Sequence, residues 1–256
     1  MTDQTISQIK QWMEKEKLQE KELAALKKDK RKGVQLLVQS YEKKKQKERE
    51  LEERFLQMCH YENIGYGNGY QYIAGTDEAG RGPLAGPIVA AAVMLPSNWK
   101  LPGLNDSKQL NEKTKNRFFS IIKQEAVSFG ISVIPSQQID ELNIYEAVKL
   151  AMRDAINQLR PFPDYVLIDA VRLPDLPCVS ESIIKGDEKS VSIAAASILA
   201  KVTRDRIMQQ IHNEYPVYDF QSNMGYGTRH HLQSIKEYGI SPYHRKSFAP
   251  IKDLVE

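Results

Sequence analysis

Cysteine is nearly absent from this 256-residue chain. Cys59 and Cys178 are the only two, they lie far apart, and neither belongs to a CxxC or Cys/His cluster. That spacing argues against a disulfide framework and a structural zinc site, and it points to a reducing compartment, the cytoplasm. Long apolar runs are missing as well. No stretch approaches the roughly 20 residues a membrane helix needs. The opening MTDQTISQIKQWMEKEK carries charges where a secretion signal has its apolar centre. A soluble, unexported protein is expected. Net charge is small, with 36 Lys plus Arg against 33 Asp plus Glu, but it is unevenly spread. Residues 1–60 hold 15 basic and 11 acidic groups, and residues 61–256 hold 21 and 22. The basic excess therefore lies entirely in the N-terminal quarter, and charge alone makes no case for nucleic-acid binding by the rest.

The first 60 residues also lack proline and contain a single glycine, Gly33, among many Lys, Glu, Gln and Leu. This composition predicts helix. The apolar stripe (Ile6, Ile9, Met13, Leu23, Leu26, Val34, Leu37, Val38) is too thin for a coiled coil. A helical extension over 1–62 is expected, a mobile hairpin broken near Gly33. Gly65, Gly67 and Gly69 then mark a linker over 63–71, since no strand precedes them and no Lys-Ser/Thr follows as a phosphate loop requires. From Tyr72 to Glu256 the pattern becomes that of a layered α/β domain. Strands are predicted in YIAGTD, in the continuous apolar run Pro87–Leu95, in the alternation of Val127, Phe129, Ile131 and Val133, in Tyr165–Ala170 and in Val179–Ile184. Helical spacing links Ile144, Ala147, Val148, Ala151, Ala155 and Leu159, and SIAAASILAKV is apolar almost all round. About five strands and at least three helices result.

Carboxylates stand at three strand ends: Asp77-Glu78 after YIAGT, Asp169 after YVLI, and Asp187 in KGDEKS before the apolar helix. Charges beside buried strands are costly unless paired or metal-bound. Four that converge would repel one another unless a divalent cation neutralised them. An oxygen-only donor set favours Mg²⁺ or Mn²⁺ over zinc. Two such ions roughly 4 Å apart stabilise both attacking and leaving oxygens at phosphorus. Neighbouring side chains on a regular strand face opposite ways, so Asp77 and Glu78 can share a site only where the strand ends or distorts. Taken alone, Asp187 reads equally as a helix cap and Asp169 as a turn residue.

In order, GTDEAGRGPLAGPIVAAAV, NDSKQL, LIDA, KGDEKS, SIAAASILAKVTRDR and SNMGYGT closely resemble the bacterial ribonuclease HII family, the type 2 ribonucleases H. The resemblance runs from about Tyr72 to near the C-terminus. It implies a ribonuclease H-like α/β fold, a mixed five-stranded sheet flanked by helices behind the helical extension. It also implies an Mg²⁺- or Mn²⁺-dependent endonuclease, acting in DNA replication and ribonucleotide excision repair. Such an enzyme cuts RNA paired with DNA and incises at lone ribonucleotides in duplex DNA. Carried over, Asp77, Glu78, Asp169 and Asp187 match the catalytic metal-binding carboxylates. Gly80, Arg81 and Gly82 match the loop that reads the ribose 2′-hydroxyl, and Tyr226 matches the tyrosine that stacks on the sugar. Without the resemblance these last four read as a turn and a half-buried aromatic.

Lys108, Lys201, Arg204 and Arg206 are candidate phosphate contacts, while His230, His231 and His244 show no ligand spacing and are expected to be structural or phosphate-facing. A monomer is expected, with a nucleic-acid duplex as partner and no membrane. Two alternatives remain at this stage. One is a type 3 ribonuclease H, whose motif has Lys in place of Arg81 and which carries a β-rich N-terminal domain. The other is a non-catalytic binding protein working through its basic N-terminal helices.

Overall fold

The computed structural model describes residues 4–15, 18–105 and 107–255, and the chain divides into two units, Met1–Arg54 and Phe55–Glu256. In the first unit α1 (Ile6–Lys15), α2 (Glu20–Lys27) and the start of α3 (Lys32–Met58) surround a small core of Ile9, Leu26, Val34 and Val38. The expected hairpin is thus three helices. The break falls at residues 28–31, where Asp29 accepts hydrogen bonds from the backbone N–H and the guanidinium of Arg31. Gly33 lies inside the first turn of α3 rather than at a break. Its missing side chain makes room for Ile6, whose Cδ1 would stand 2.7 Å from a Cβ there.

The segment 63–71, expected to be a linker, is helical at its start. Helix α4 spans His60–Gly67 with Glu62 and Gly65 buried. Gly65 is required by packing, since a Cβ would meet Ile73 and the Tyr165 ring at 2.5 and 2.9 Å. Only Gly69, at φ +92°, serves the turn that follows.

Five strands follow: β1 (Ile73–Ala79), β2 (Ile88–Met94), β3 (Ser128–Ile134), β4 (Tyr165–Asp169) and β5 (Val179–Ile183), in the order β3-β2-β1-β4-β5. β2 runs antiparallel to both β1 and β3, and β4 runs parallel to both β1 and β5. The helices between them are α5 (Glu112–Glu125), α6 (Ser136–Leu142) and α7 (Ile144–Asn157), and α8 (Val191–Glu214) follows the last strand. α8 covers one face of the sheet and α7 the other. β2, IVAAAVM, is buried along its whole length because it lies between these two layers. In β3 the more deeply buried face is Gly130, Ser132 and Ile134, not the predicted apolar set. Small residues are needed there because α7 presses close, and a Cβ on Gly130 would lie 2.1 Å from the Ala155 carbonyl oxygen. Three short helices, α9 (Phe220–Asn223), α10 (Arg229–Tyr238) and α11 (Lys252–Val255), complete the chain. With the end of α8 they enclose a third apolar cluster around Phe220, Tyr218 and Met208.

Candidate active site

Side-chain alternation along β1 sets the first two carboxylates apart. Asp77 shares its face with Ile73 and Gly75, which lie against α8, whereas Glu78 shares its face with Ala74, which packs under α7. Pairing of β1 with β4 stops at Thr76 opposite Ile168, while pairing with β2 continues to Ala79. The sheet therefore opens between β1 and β4 just beyond the last shared bonds. Asp77, Glu78 and Asp169 stand at the carboxyl ends of these two parallel strands, the end at which open α/β sheets bind ligands.

Asp77 is 5% exposed, and its Oδ1 accepts the Glu78 N–H at 2.7 Å. Burial is the main cause that raises its pKa well above the usual carboxylate range, with the charges of Glu78 and Asp169 adding to it and a hydrogen bond from Ser197 opposing. Glu78 is pushed up to about 7, first by burial and then by Asp169, against the pull of Arg81 and Lys108. Arg81 Nη1 stands 3.7 Å from Glu78 Oε1, and the buried Oε2 has no hydrogen-bond partner among the described residues. Asp169 accepts the Gly186 N–H at 2.6 Å. Asp187 is buried in a 3₁₀ turn over Gly186–Glu188, with its Oδ2 3.6 Å from Lys108 Nζ. The capping alternative for Asp187 falls away, because Ser190 caps α8 by accepting the Ile193 N–H.

Among the described residues no three acidic, imidazole or thiol side chains form a ready-made metal cage. The donor chemistry nonetheless fits a hard divalent cation. All four candidates are carboxylates, two have pKa values raised by burial and mutual repulsion, and one buried oxygen has no hydrogen-bond partner among the described residues.

The loop Gly80-Arg81-Gly82 follows β1 directly, and its Arg81 reaches back to Glu78. Gly80 takes φ +96°, and a Cβ there would come within 2.1 Å of Arg204 Nε. Tyr226 is half exposed beside the loop, its Cε1 3.6 Å from where a Gly82 Cβ would be. The structure thus brings together Asp77, Glu78, Asp169, Asp187, the 80–82 loop, Tyr226 and the exposed Lys108. Asp106 of the NDSK motif lies outside the described residues.

The other basic candidates do not join the site as expected. Among the described residues Arg204, 1% exposed, donates only to the carbonyls of Ala85, Pro87 and Met224, so it is internal scaffolding and not a phosphate contact. Lys201 pairs with Asp205 at 2.7 Å, and Arg206 lies over the Phe119 ring. His231 and His244 form a buried pair, Nε2 to Nε2 at 3.0 Å, while His230 is exposed. Sequence reasoning missed Ser197, Glu62 and Arg245. Ser197 is a small hydroxyl within the apolar stretch of α8. Glu62 accepts from Ser190 Oγ, Ser192 Oγ and Ser192 N–H, so α4 supplies a cap to the start of α8 from 128 to 130 residues away.

Residues 74–251 match the family model "Ribonuclease HII", and residues 5–66 match "Ribonuclease HII N-terminal domain". The chain belongs to the ribonuclease HII family. The ribonuclease HII of Oceanobacillus iheyensis is 53% identical over 251 residues, 98% of this chain and 96% of that protein. Among solved structures, ribonuclease H2 from Pyrococcus horikoshii OT3 superposes with a TM-score of 0.63 at 26% identity, covering 72% of this chain and 97% of that one. Ribonuclease HII from Archaeoglobus fulgidus, solved in a complex with PCNA, gives 0.58 at 26% identity, covering 68% and 94%. As a ribonuclease HII the protein is an endoribonuclease, a hydrolase that cleaves RNA in RNA-DNA hybrids, built on the ribonuclease H fold. The match to the type 2 N-terminal domain, helical here, decides against the type 3 alternative. No helix among the described residues is long and apolar enough to cross a membrane.

Proposed function

We propose that this ribonuclease HII cuts the RNA strand of hybrids and also incises duplex DNA on the 5′ side of a single embedded ribonucleotide. The observation that carries this reading is the 80–82 loop itself, which has the Tyr226 ring close to Gly82 and reaches the buried Glu78 through Arg81. A surface suited to one sugar thus lies against groups suited to one phosphate. The loop's glycines let backbone approach the ribose, whose 2′-hydroxyl separates RNA from DNA. Tyr226 stacks on the sugar at the RNA-to-DNA junction, and Lys108 faces the phosphate. Asp77, Glu78, Asp169 and Asp187 hold Mg²⁺ or Mn²⁺. When bound, the ion neutralises phosphate charge and makes water a competent nucleophile near neutral pH. Water adds to phosphorus in line, the bond to the 3′ oxygen breaks, and that oxygen takes a proton. The products are an upstream 3′-hydroxyl and a 5′-phosphate on the ribonucleotide. The protein acts on this substrate as a cytoplasmic monomer.

Duplex DNA carrying one ribonucleotide, incubated with and without Mn²⁺ or Mg²⁺, is the direct test. Metal-dependent incision 5′ to that residue is expected from the wild type, and at least a thousandfold loss from Asp77→Asn, of the order that removing one essential group costs. An intact strand with the wild-type protein and either metal would end this reading.

A further inference from the structure

Arg245 is fully buried near the C-terminus, yet no acidic side chain among the described residues pairs with it. Its guanidinium instead donates to backbone carbonyls: Nη2 to Gly80 O at 2.6 Å, Nη1 to Arg81 O at 3.2 Å, and Nε and Nη2 to Gly86 O at 3.0 and 2.9 Å. Short backbone ties hold its own segment beside residues 84–86. Arg245 N–H bonds to Leu84 O at 2.8 Å, and Gly86 N–H bonds to Tyr243 O at 2.8 Å. The Phe248 ring covers the guanidinium at 5.0 Å. Burying a cation this way is costly, and the same carbonyls could have been left to water on an exposed loop.

The peptide plane shows what the arrangement accomplishes. In a trans peptide the carbonyl of one residue and the N–H of the next point in opposite directions. With the carbonyls of Gly80 and Arg81 turned inward onto Arg245, the N–H groups of Arg81 and Gly82 are turned outward. Both residues are exposed, and neither N–H has a backbone or side-chain acceptor among the described residues. Two preset donors therefore stand at the mouth of the site, beside Tyr226.

We propose that Arg245 is a positioning residue for ribose discrimination: it fixes the 80–82 backbone so that two N–H groups meet the ribose oxygen without reorganisation. This rests on the reading of the loop given under the proposed function. The guanidinium fork is needed because it holds three carbonyls at once, which an ammonium on a flexible stem does not.

The test measures KM for a duplex with one ribonucleotide, and the inhibition constant of the same duplex made wholly of DNA, using one protein sample. Neither quantity depends on the fraction of molecules folded. Arg245→Lys is expected to raise KM at least tenfold while the inhibition constant stays within twofold, so that preference for the ribonucleotide falls about tenfold. A parallel rise of both constants, or no change in either, overturns the proposal. Should the lysine variant not fold, Arg245→Gln carries no buried charge and is expected to show the same loss of preference. Equal constants in the wild type would instead remove the reading of the loop on which the proposal rests.

Discussion

His244 shows how burial changes a residue that sequence spacing left without a role. Its Nδ1 accepts from the Ser241 N–H at 2.8 Å, so its Nε2 carries the proton and donates to His231 Nε2. His231 in turn donates from Nδ1 to the Tyr226 carbonyl at 2.9 Å. The chain of bonds requires both rings to be neutral. Burial, then the charge of His231, pushes His244 down to about 4 from its usual 6.5. Between those two values the unfolded chain binds a proton that the folded one refuses. The stability gained from the neutral pair is therefore complete above about pH 6.5 and is lost as pH falls toward 4. Thermal unfolding midpoints of the wild type should fall across that window more steeply than those of His244→Gln. Identical slopes would remove His244 as the titrating group. No pattern in the sequence paired residues 231 and 244, because the pairing is made by a turn and a helix that meet only in three dimensions.

At the scale of elements, the register of α8 on β1 decides where Asp77 stands. A Cβ on Gly75 would lie 2.2 Å from both the Ile193 nitrogen and the Ser192 carbonyl carbon. These are backbone atoms, so the helix itself must retreat. Gly75→Ala is expected to cost about 1–3 kcal/mol of stability, as overpacking does. Incision should fall more than tenfold, since Asp77 lies two residues along the same face and takes a hydrogen bond from Ser197 of α8. Urea denaturation and a single-turnover assay measure the two effects, and a fully active variant would show that the helix position is not critical. Most of the elements were legible beforehand. β2 follows from its continuous apolar run, and α7 follows from the 3.6-residue spacing of Ala147, Val148, Ala151 and Ala155. β3 was legible as a strand but not in its more buried face, because that choice depends on which helix packs where.

At the scale of the whole molecule, the basic N-terminal quarter and the nearly neutral remainder proved to be divided elsewhere than composition suggested. The contact boundary falls between Arg54 and Phe55, not within the glycines at 65–69. Phe55 and Met58 already belong to the core of the second unit, and Glu62 caps its central helix. Two truncations should therefore differ. Removal of residues 1–54 is expected to leave a folded hydrolase whose turnover of bound substrate is within about threefold of wild type. Removal of 1–68 strips Phe55, Met58 and Glu62, leaves the Ser190 and Ser192 donors without their acceptor, and should lower stability by at least about 3 kcal/mol. Circular dichroism melts and single-turnover rates compare the two. Equal melting temperatures would mean that α4 contributes nothing to the second unit.

By itself the sequence determined the strand-helix pattern, the four acidic positions and the family motifs, because period, turn residues and motif order are properties of neighbours along the chain. It also holds only two cysteines, and no helix among the described residues is long and apolar enough to cross a membrane. Only the tertiary structure decided which carboxylates are buried enough to resist ionisation and that Asp187 is no cap. The same holds for Arg204, which is internal, and for Glu62 and Arg245, which act on elements more than 100 residues away. The reason is physical: burial and hydrogen-bond partnership arise from long-range packing, and packing is written in no local pattern.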